Sequence, residues 1–95
     1  MKDIEVYQTN LFRKNKKKLN KNQIEDLDNA VKTLIKNPKL GEQKTGGLSD
    51  IWVYKFLMKG QQYLLAYTWN EESRTLIALG LHKKFYRDLK RSIRH

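Results

Sequence analysis

Three apolar, aromatic-rich runs crowd the second half of the chain: IWVYKFLM at 51–58, YLLAYTW at 63–69 and RTLIALGL at 74–81. The first two are joined by KGQQ and the last two by NEES. Runs bounded by such turn signals read as strands, and connections this short fold them into an antiparallel meander with its first turn near Gly60. The runs are nearly continuous in apolar residues rather than alternating, so both faces of the sheet must be covered.

One cover is legible upstream. Asn22 with Glu25 makes a start resembling a capping box, and Ile24, Leu27, Val31, Leu34 and Ile35 follow at helical spacing. Pro38, with Gly41 beyond it, ends that helix, and GEQKTGG at 41–47 reads as a loop. The other cover is expected to come from a partner protein, because few apolar segments remain. IEVYQ at 4–8 alternates and reads as a first strand. Thr9 or Asn10 then caps a helix starting at Leu11 and running into RKNKKKLNK, where six of nine residues are cationic. That run is either a solvated helix face or a phosphate-contacting ridge. Lys83 to Ile93 is a short helix with Phe85 and Leu89, or Tyr86, Leu89 and Ile93, on one side and cations on the other. The predicted architecture is α+β, a single domain over 1–95, in the order β-α-α-β-β-β-α. An antiparallel sheet packs on an N-terminal helix pair and carries a short C-terminal helix.

The 95 residues hold 20 Lys and Arg against 10 Asp and Glu, a net charge of +10. Such a field favours polyanions, nucleic acid first and an anionic membrane or acidic protein after it. No cysteine is present, which excludes disulfides, a thiol nucleophile and cysteine metal sites. MKDIEVYQTN has no signal-peptide core, and no run approaches the roughly 20 apolar residues of a membrane span. A soluble cytoplasmic protein with no membrane partner is therefore expected.

His82 is the only histidine before the last residue, so a histidine-based metal site is not expected, nor is any cofactor. Ser49, Asp50 and His82 share no spacing that points to a triad, and KTGG lacks the GK[ST] of a phosphate loop. What remains suits RNA cleavage. The 2′-hydroxyl attacks its adjacent phosphate when a base takes its proton, cations hold the charge growing on phosphorus, and an acid protonates the leaving 5′-oxygen. Histidine titrates near neutrality and serves either duty. Along 74–82, Leu76, Ala78, Gly80 and His82 share one parity, so small residues are expected to leave space on the His82 side. Tyr86 lies one helical turn beyond. The residues alone also allow His82 to be an ordinary polar group at a strand-to-helix junction.

With the elements in this order, the chain resembles the RelE/ParE superfamily of toxins of bacterial type II toxin–antitoxin systems. NPKLGEQKTGGLSDIWVYKF, QYLLAYTW and LIALGLHKKFY carry the resemblance, which covers roughly residues 39 to 91. It implies a RelE/ParE-like fold and a protein neutralised by a cognate antitoxin, the pair binding operator DNA only as a complex. RelE-like members cleave mRNA in the ribosomal A site, and ParE-like members poison DNA gyrase. The ending Gly80-x-His82-x-x-x-Tyr86 is similar to that of the YafQ-like ribonucleases, which implies His82 as the proton-transfer group, Tyr86 as its aromatic neighbour and Lys55 as a strand lysine on phosphate. Lys59, Lys83, Lys84, Arg87, Lys90 and Arg91 complete an RNA- and phosphate-binding set. The sequence departs from the family at Leu64, where RelE carries an arginine, and at Leu57, where a second lysine stands. The arginine near the ending is also absent, unless His82 takes its place. A metal-independent mRNA interferase is the expected activity. A gyrase inhibitor without nuclease activity, or a degenerate non-catalytic homologue, is the alternative these departures keep open.

Overall fold

The computed structural model describes residues 3–44 and 50–93, with the side chains of Lys83, Ser92 and Ile93 excepted. The elements run β1 (Glu5–Gln8), α1 (Asn10–Lys17), α2 (Lys21–Lys36), a 3-10 turn at Pro38–Leu40, β2 (Glu42–Gln43), β3 (Trp52–Met58), β4 (Gln61–Trp69), β5 (Ser73–Gly80) and α3 (His82–Ile93). They build an α+β fold on a five-stranded sheet ordered β1-β5-β4-β3-β2. The meander β3-β4-β5 is antiparallel, as its connections require. Lys59 and Gly60 turn the first hairpin with positive φ of 50° and 81°. That is the pair of left-handed residues a tight hairpin matched to strand twist demands. The first strand joins in parallel, Glu5 opposite Ser73 and Gln8 opposite Leu76.

The starts of α1 and α2 are capped. Thr9 accepts from the Phe12 N–H at 3.1 Å. The capping box of α2 forms at Asn20 and Gln23, not at Asn22 and Glu25: Asn20 Oδ1 accepts from Gln23 N–H at 2.9 Å, and Gln23 Oε1 from Asn20 N–H at 3.0 Å. The two pairs share the same three-residue spacing, so the sequence pattern cannot separate them. The expected loop at 41–47 contains β2, whose Glu42 and Gln43 pair with Val53 and Trp52. Residues 45–49 lie outside the described residues.

Two clusters fill the sheet's two faces. Under α2, Phe12, Leu27 and Leu34 meet Met58, Leu65, Tyr67, Leu76 and Leu79, with Trp52, Tyr54, Phe56, Tyr63 and Trp69 around them. Arg74, 5% exposed, closes the end of this layer: Nε and an Nη donate to the Leu34 and Ile35 carbonyls at 3.1 and 2.9 Å. Those carbonyls lie in the last turn of α2, so a buried cation meets the negative end of the helix dipole. The opposite face carries Ile51, Val53, Leu64, Ala66 and Ala78, and its cover is α3, through Phe85 and Leu89. The chain thus supplies from its own last helix much of the cover assigned to a partner.

A bulge corrects the strand parity. Ala66 pairs with Ala78 but Tyr67 pairs with Leu76, leaving Ile77 as the extra residue. Leu76 consequently faces α2 while Ala78 faces α3. Beyond the reach of β1, the free edge of β5 is covered by α1. Thr9 Oγ1 donates to the Ile77 carbonyl at 2.7 Å, and the Leu79 N–H donates to Asn15 Oδ1 at 2.9 Å. These bonds satisfy strand groups that would otherwise invite another chain to pair.

Candidate active site

The α3 face is where the sequence-predicted residues gather. Lys55, Leu64 and Gly80 stand in one row across β3, β4 and β5. Two strand spacings put the Lys55 backbone about 10 Å from that of Gly80. By alternation Lys55 shares its side with Val53, which α3 covers, but Lys55 itself is exposed, as is Leu57 at 65%. The cover therefore ends between Val53 and Lys55.

The chain leaves the row at Gly80, passes exposed Leu81 and enters α3 at His82. The Phe85 N–H donates to the Leu81 carbonyl at 2.9 Å and closes the first turn. His82 and Tyr86, four residues apart on one side of the helix, meet edge to face with ring centroids 5.2 Å apart at 71°. Tyr86 in turn meets Phe85 at 5.0 Å and 83°. Phe85 is buried, Tyr86 half-buried and His82 exposed. The three rings step outward from the core, and the packed pair limits where the exposed imidazole can swing. Phe85 packs on Gly80, where an added Cβ would lie 3.7 Å from Phe85 Cβ, an ordinary contact. The space expected beside Ala78 and Gly80 is present as a cleft lined by both residues together with Asn15, Lys18, Lys84 and Phe85.

A residue absent from the sequence-based set joins this group. Lys44 Nζ lies 5.7 Å from the centroid of the Tyr86 ring and 3.3 Å from Glu42 Oε1. Interaction with the Tyr86 hydroxyl, and then with Glu42, holds the Lys44 pKa above the ordinary lysine value, burial pulling the other way. Nothing local in GEQKTGG marks it out. Only the pairing of β2 with β3 places it.

The other cations do not converge with His82. Lys59 sits at the hairpin tip, its N–H bonded to Asp26 Oδ2 of α2 at 3.1 Å. Lys84 and Arg91 lie on the flank of α3 that faces α1, lining clefts shared with Asn15, Lys18 and Asp88. Arg87 Nε is 4.0 Å from Asp88. Lys90 is exposed one turn beyond Tyr86 on the His82 flank. The Lys83 side chain and Ser49 lie outside the described residues, and Asp50 is exposed. Cations placed all round one helix cannot share a single phosphate, because successive residues are turned by about 100°. Among the described residues no three histidine or acidic side chains group as a metal ion would need, and no helix is long and apolar enough to cross a membrane.

Comparison with known proteins identifies the family and the fold. A family model described as the ParE-like toxin of type II bacterial toxin–antitoxin systems matches residues 6–90. A search of curated proteins finds no match to the sequence. Among solved structures, the free form of a mutant E. coli RelE toxin is similar with a TM-score of 0.73 at 18% identity, covering 96% of this chain and 98% of that one. The intact E. coli RelBE toxin–antitoxin complex gives 0.67 at 21% identity over 84% and 98%. A YoeB/ParE toxin from Agrobacterium tumefaciens gives 0.61 at 11% identity over 83% and 99%. At these identities the likeness is one of fold.

Proposed function

Because the chain belongs to the ParE-like toxins of bacterial type II toxin–antitoxin systems, within the RelE/ParE superfamily, we propose that it is a metal-independent endoribonuclease. On this reading it cleaves mRNA in the ribosomal A site and is neutralised by a cognate antitoxin, as the partner in the similar RelBE complex suggests. The observation that carries the reading is the His82–Tyr86 ring pair at the uncovered end of the sheet face on which Lys55 stands. His82 moves a proton, taking it from the attacking 2′-hydroxyl or giving it to the departing 5′-oxygen. As the 2′-O–P bond forms and the P–O5′ bond breaks, Lys55 stabilises the negative charge on the non-bridging oxygens. Tyr86 keeps the imidazole on the substrate side. The bound pair with antitoxin, not the free toxin, is the form that reads operator DNA.

A second reading has its own support. Leu64, in the row between Lys55 and Gly80, is 2% exposed and apolar, and Leu57 beside it is apolar as well. A sheet face this poor in cations also fits a gyrase inhibitor that binds without cutting RNA.

His82→Ala and His82→Gln decide between them. The nuclease reading expects cleavage to fall by about 10²–10⁴, the usual worth of a general acid or base. Growth arrest should be lost while thermal stability and antitoxin binding stay as in wild type. A His82→Ala protein that arrests growth as well as wild type, with mRNA intact and DNA broken, sinks the nuclease and favours the gyrase inhibitor.

A further inference from the structure

Lys44 is held more firmly than a surface lysine in a short connection needs to be. Gly41, three residues before it, donates its N–H to Tyr67 Oη at 3.0 Å, and that hydroxyl donates to the Pro38 carbonyl at 2.6 Å. Glu42 and Gln43 pair with β3, and the Lys44 N–H donates to the Ile51 carbonyl at 2.9 Å. Opposite residues of an antiparallel pair share a face, so Lys44 lies on the side of Ile51, which packs under α3. Its side chain is 22% exposed while that of Glu42 is 73% exposed.

Neither contact of the ammonium accounts for this anchoring by stability. Ion pairs with an exposed carboxylate contribute little, and a cation–π contact at a solvated site is modest. The consequence is electrostatic. With Nζ 5.7 Å from the Tyr86 ring and that ring 5.2 Å from the imidazole, the ammonium is within about 11 Å of His82 even if the two spacings lie end to end. That upper bound is close to the Debye length of about 10 Å at 0.1 M salt. On the sheet itself the described cation of this face near His82 is Lys55, since Leu57, Gln62 and Leu64 are uncharged.

We propose that Lys44 is a substrate-binding residue of this site, its ammonium resting on the Tyr86 ring and taking the phosphate of the nucleotide next to the scissile bond. Lys55 and Lys44 then approach the RNA backbone from two sides of the His82–Tyr86 pair. Glu42, exposed and 3.3 Å away, holds the ammonium until a phosphate displaces it. The position on the RNA rests on the ribonuclease reading; phosphate binding by Lys44 does not.

The test separates the two. An oligoribonucleotide with a 2′-deoxy sugar at the scissile position binds without being cut. Lys44→Gln is expected to weaken its binding about tenfold and to make the dependence of log Kd on log salt shallower by about 0.7, one single-strand phosphate contact. Lys44→Arg should restore binding, and the melting temperature of all three proteins should agree. With a cleavable mRNA in the A site of ribosomes, the Lys44→Gln loss should appear mainly in KM. If Lys44→Gln binds with wild-type affinity and salt slope, the proposal is overturned while the nuclease reading stands. If Lys44→Arg is as weak as Lys44→Gln and both melt early, Lys44 is structural and the proposal is overturned as well. If wild type binds the oligonucleotide but never cleaves mRNA on ribosomes, and Lys44→Gln still weakens binding, the nuclease reading falls and Lys44 keeps its phosphate.

Discussion

The two faces of the sheet are built from the same three strands and finished differently. The α2 face is closed by a 16-residue helix, a ring of large aromatics and the Arg74 guanidinium on the last carbonyls of that helix. The α3 face is lined by smaller residues, Val53, Ala66 and Ala78, and a 12-residue helix covers it only in part. Where that cover stops, Lys55 and Leu57 stand in solvent and His82 begins the helix. One face is closed along its length, and the proposed site lies where the other face runs out of cover. A site on strands and a helix start, backed by a packed layer, is held more rigidly than one on loops alone.

This contrast can be broken by substitution. Leu65→Ala, on the closed face at a fully buried position, should cost about 2–5 kcal/mol in urea unfolding, the range for emptying a well-packed site. Gly41→Ala should cost about 1–3 kcal/mol. A Cβ there would lie 2.5 Å from Tyr67 Oη and 2.9 Å from the Val53 carbonyl, so β2 must shift. The same variant should weaken RNA binding by loosening Lys44.

Tyr67→Phe removes the phenol bonded to Pro38 and Gly41, and should cost about 1 kcal/mol at neutral pH. Burial, partly opposed by the Gly41 N–H, raises the pKa of this phenol from 10.0. A raised folded-state pKa contributes stability that is fully present below pH 10 and lost as pH climbs through the folded value. Melting temperature against pH should therefore fall above pH 10 in wild type, and less steeply in Tyr67→Phe. Leu57→Ala, on the uncovered face, should move stability by no more than about 0.5 kcal/mol. A Leu57→Ala protein as destabilised as Leu65→Ala would mean that the two faces do not differ as described.

Much of this fold is written in local pattern. The meander announces itself because strands buried on two faces must be apolar throughout, and α2 because its stripe keeps helical period. The same apolar continuity hides the bulge: in Leu76-Ile77-Ala78-Leu79 every position tolerates either face, so a one-residue slip leaves no mismatch to see. A two-residue strand has no period, which is why β2, and Lys44 with it, escaped. The His82–Tyr86 pair is legible since i and i+4 share a helix side wherever the helix lies. The scatter of Lys59, Lys84, Arg87 and Arg91 is not, because charge counts carry no direction.

The parallel pairing of β1 with β5 sets the order in which the protein can come into being. Glu5 waits for Ser73 and Gln8 for Leu76, so the first strand finds its neighbour only once β5 has been made. Contacts so distant along the chain are slow to form. His82 and Tyr86 follow that closing strand directly, and α3 has no sheet to lie on before it. A chain without α3 therefore carries no His82–Tyr86 pair beside Lys55, so the proposed site comes together only after the sheet has closed.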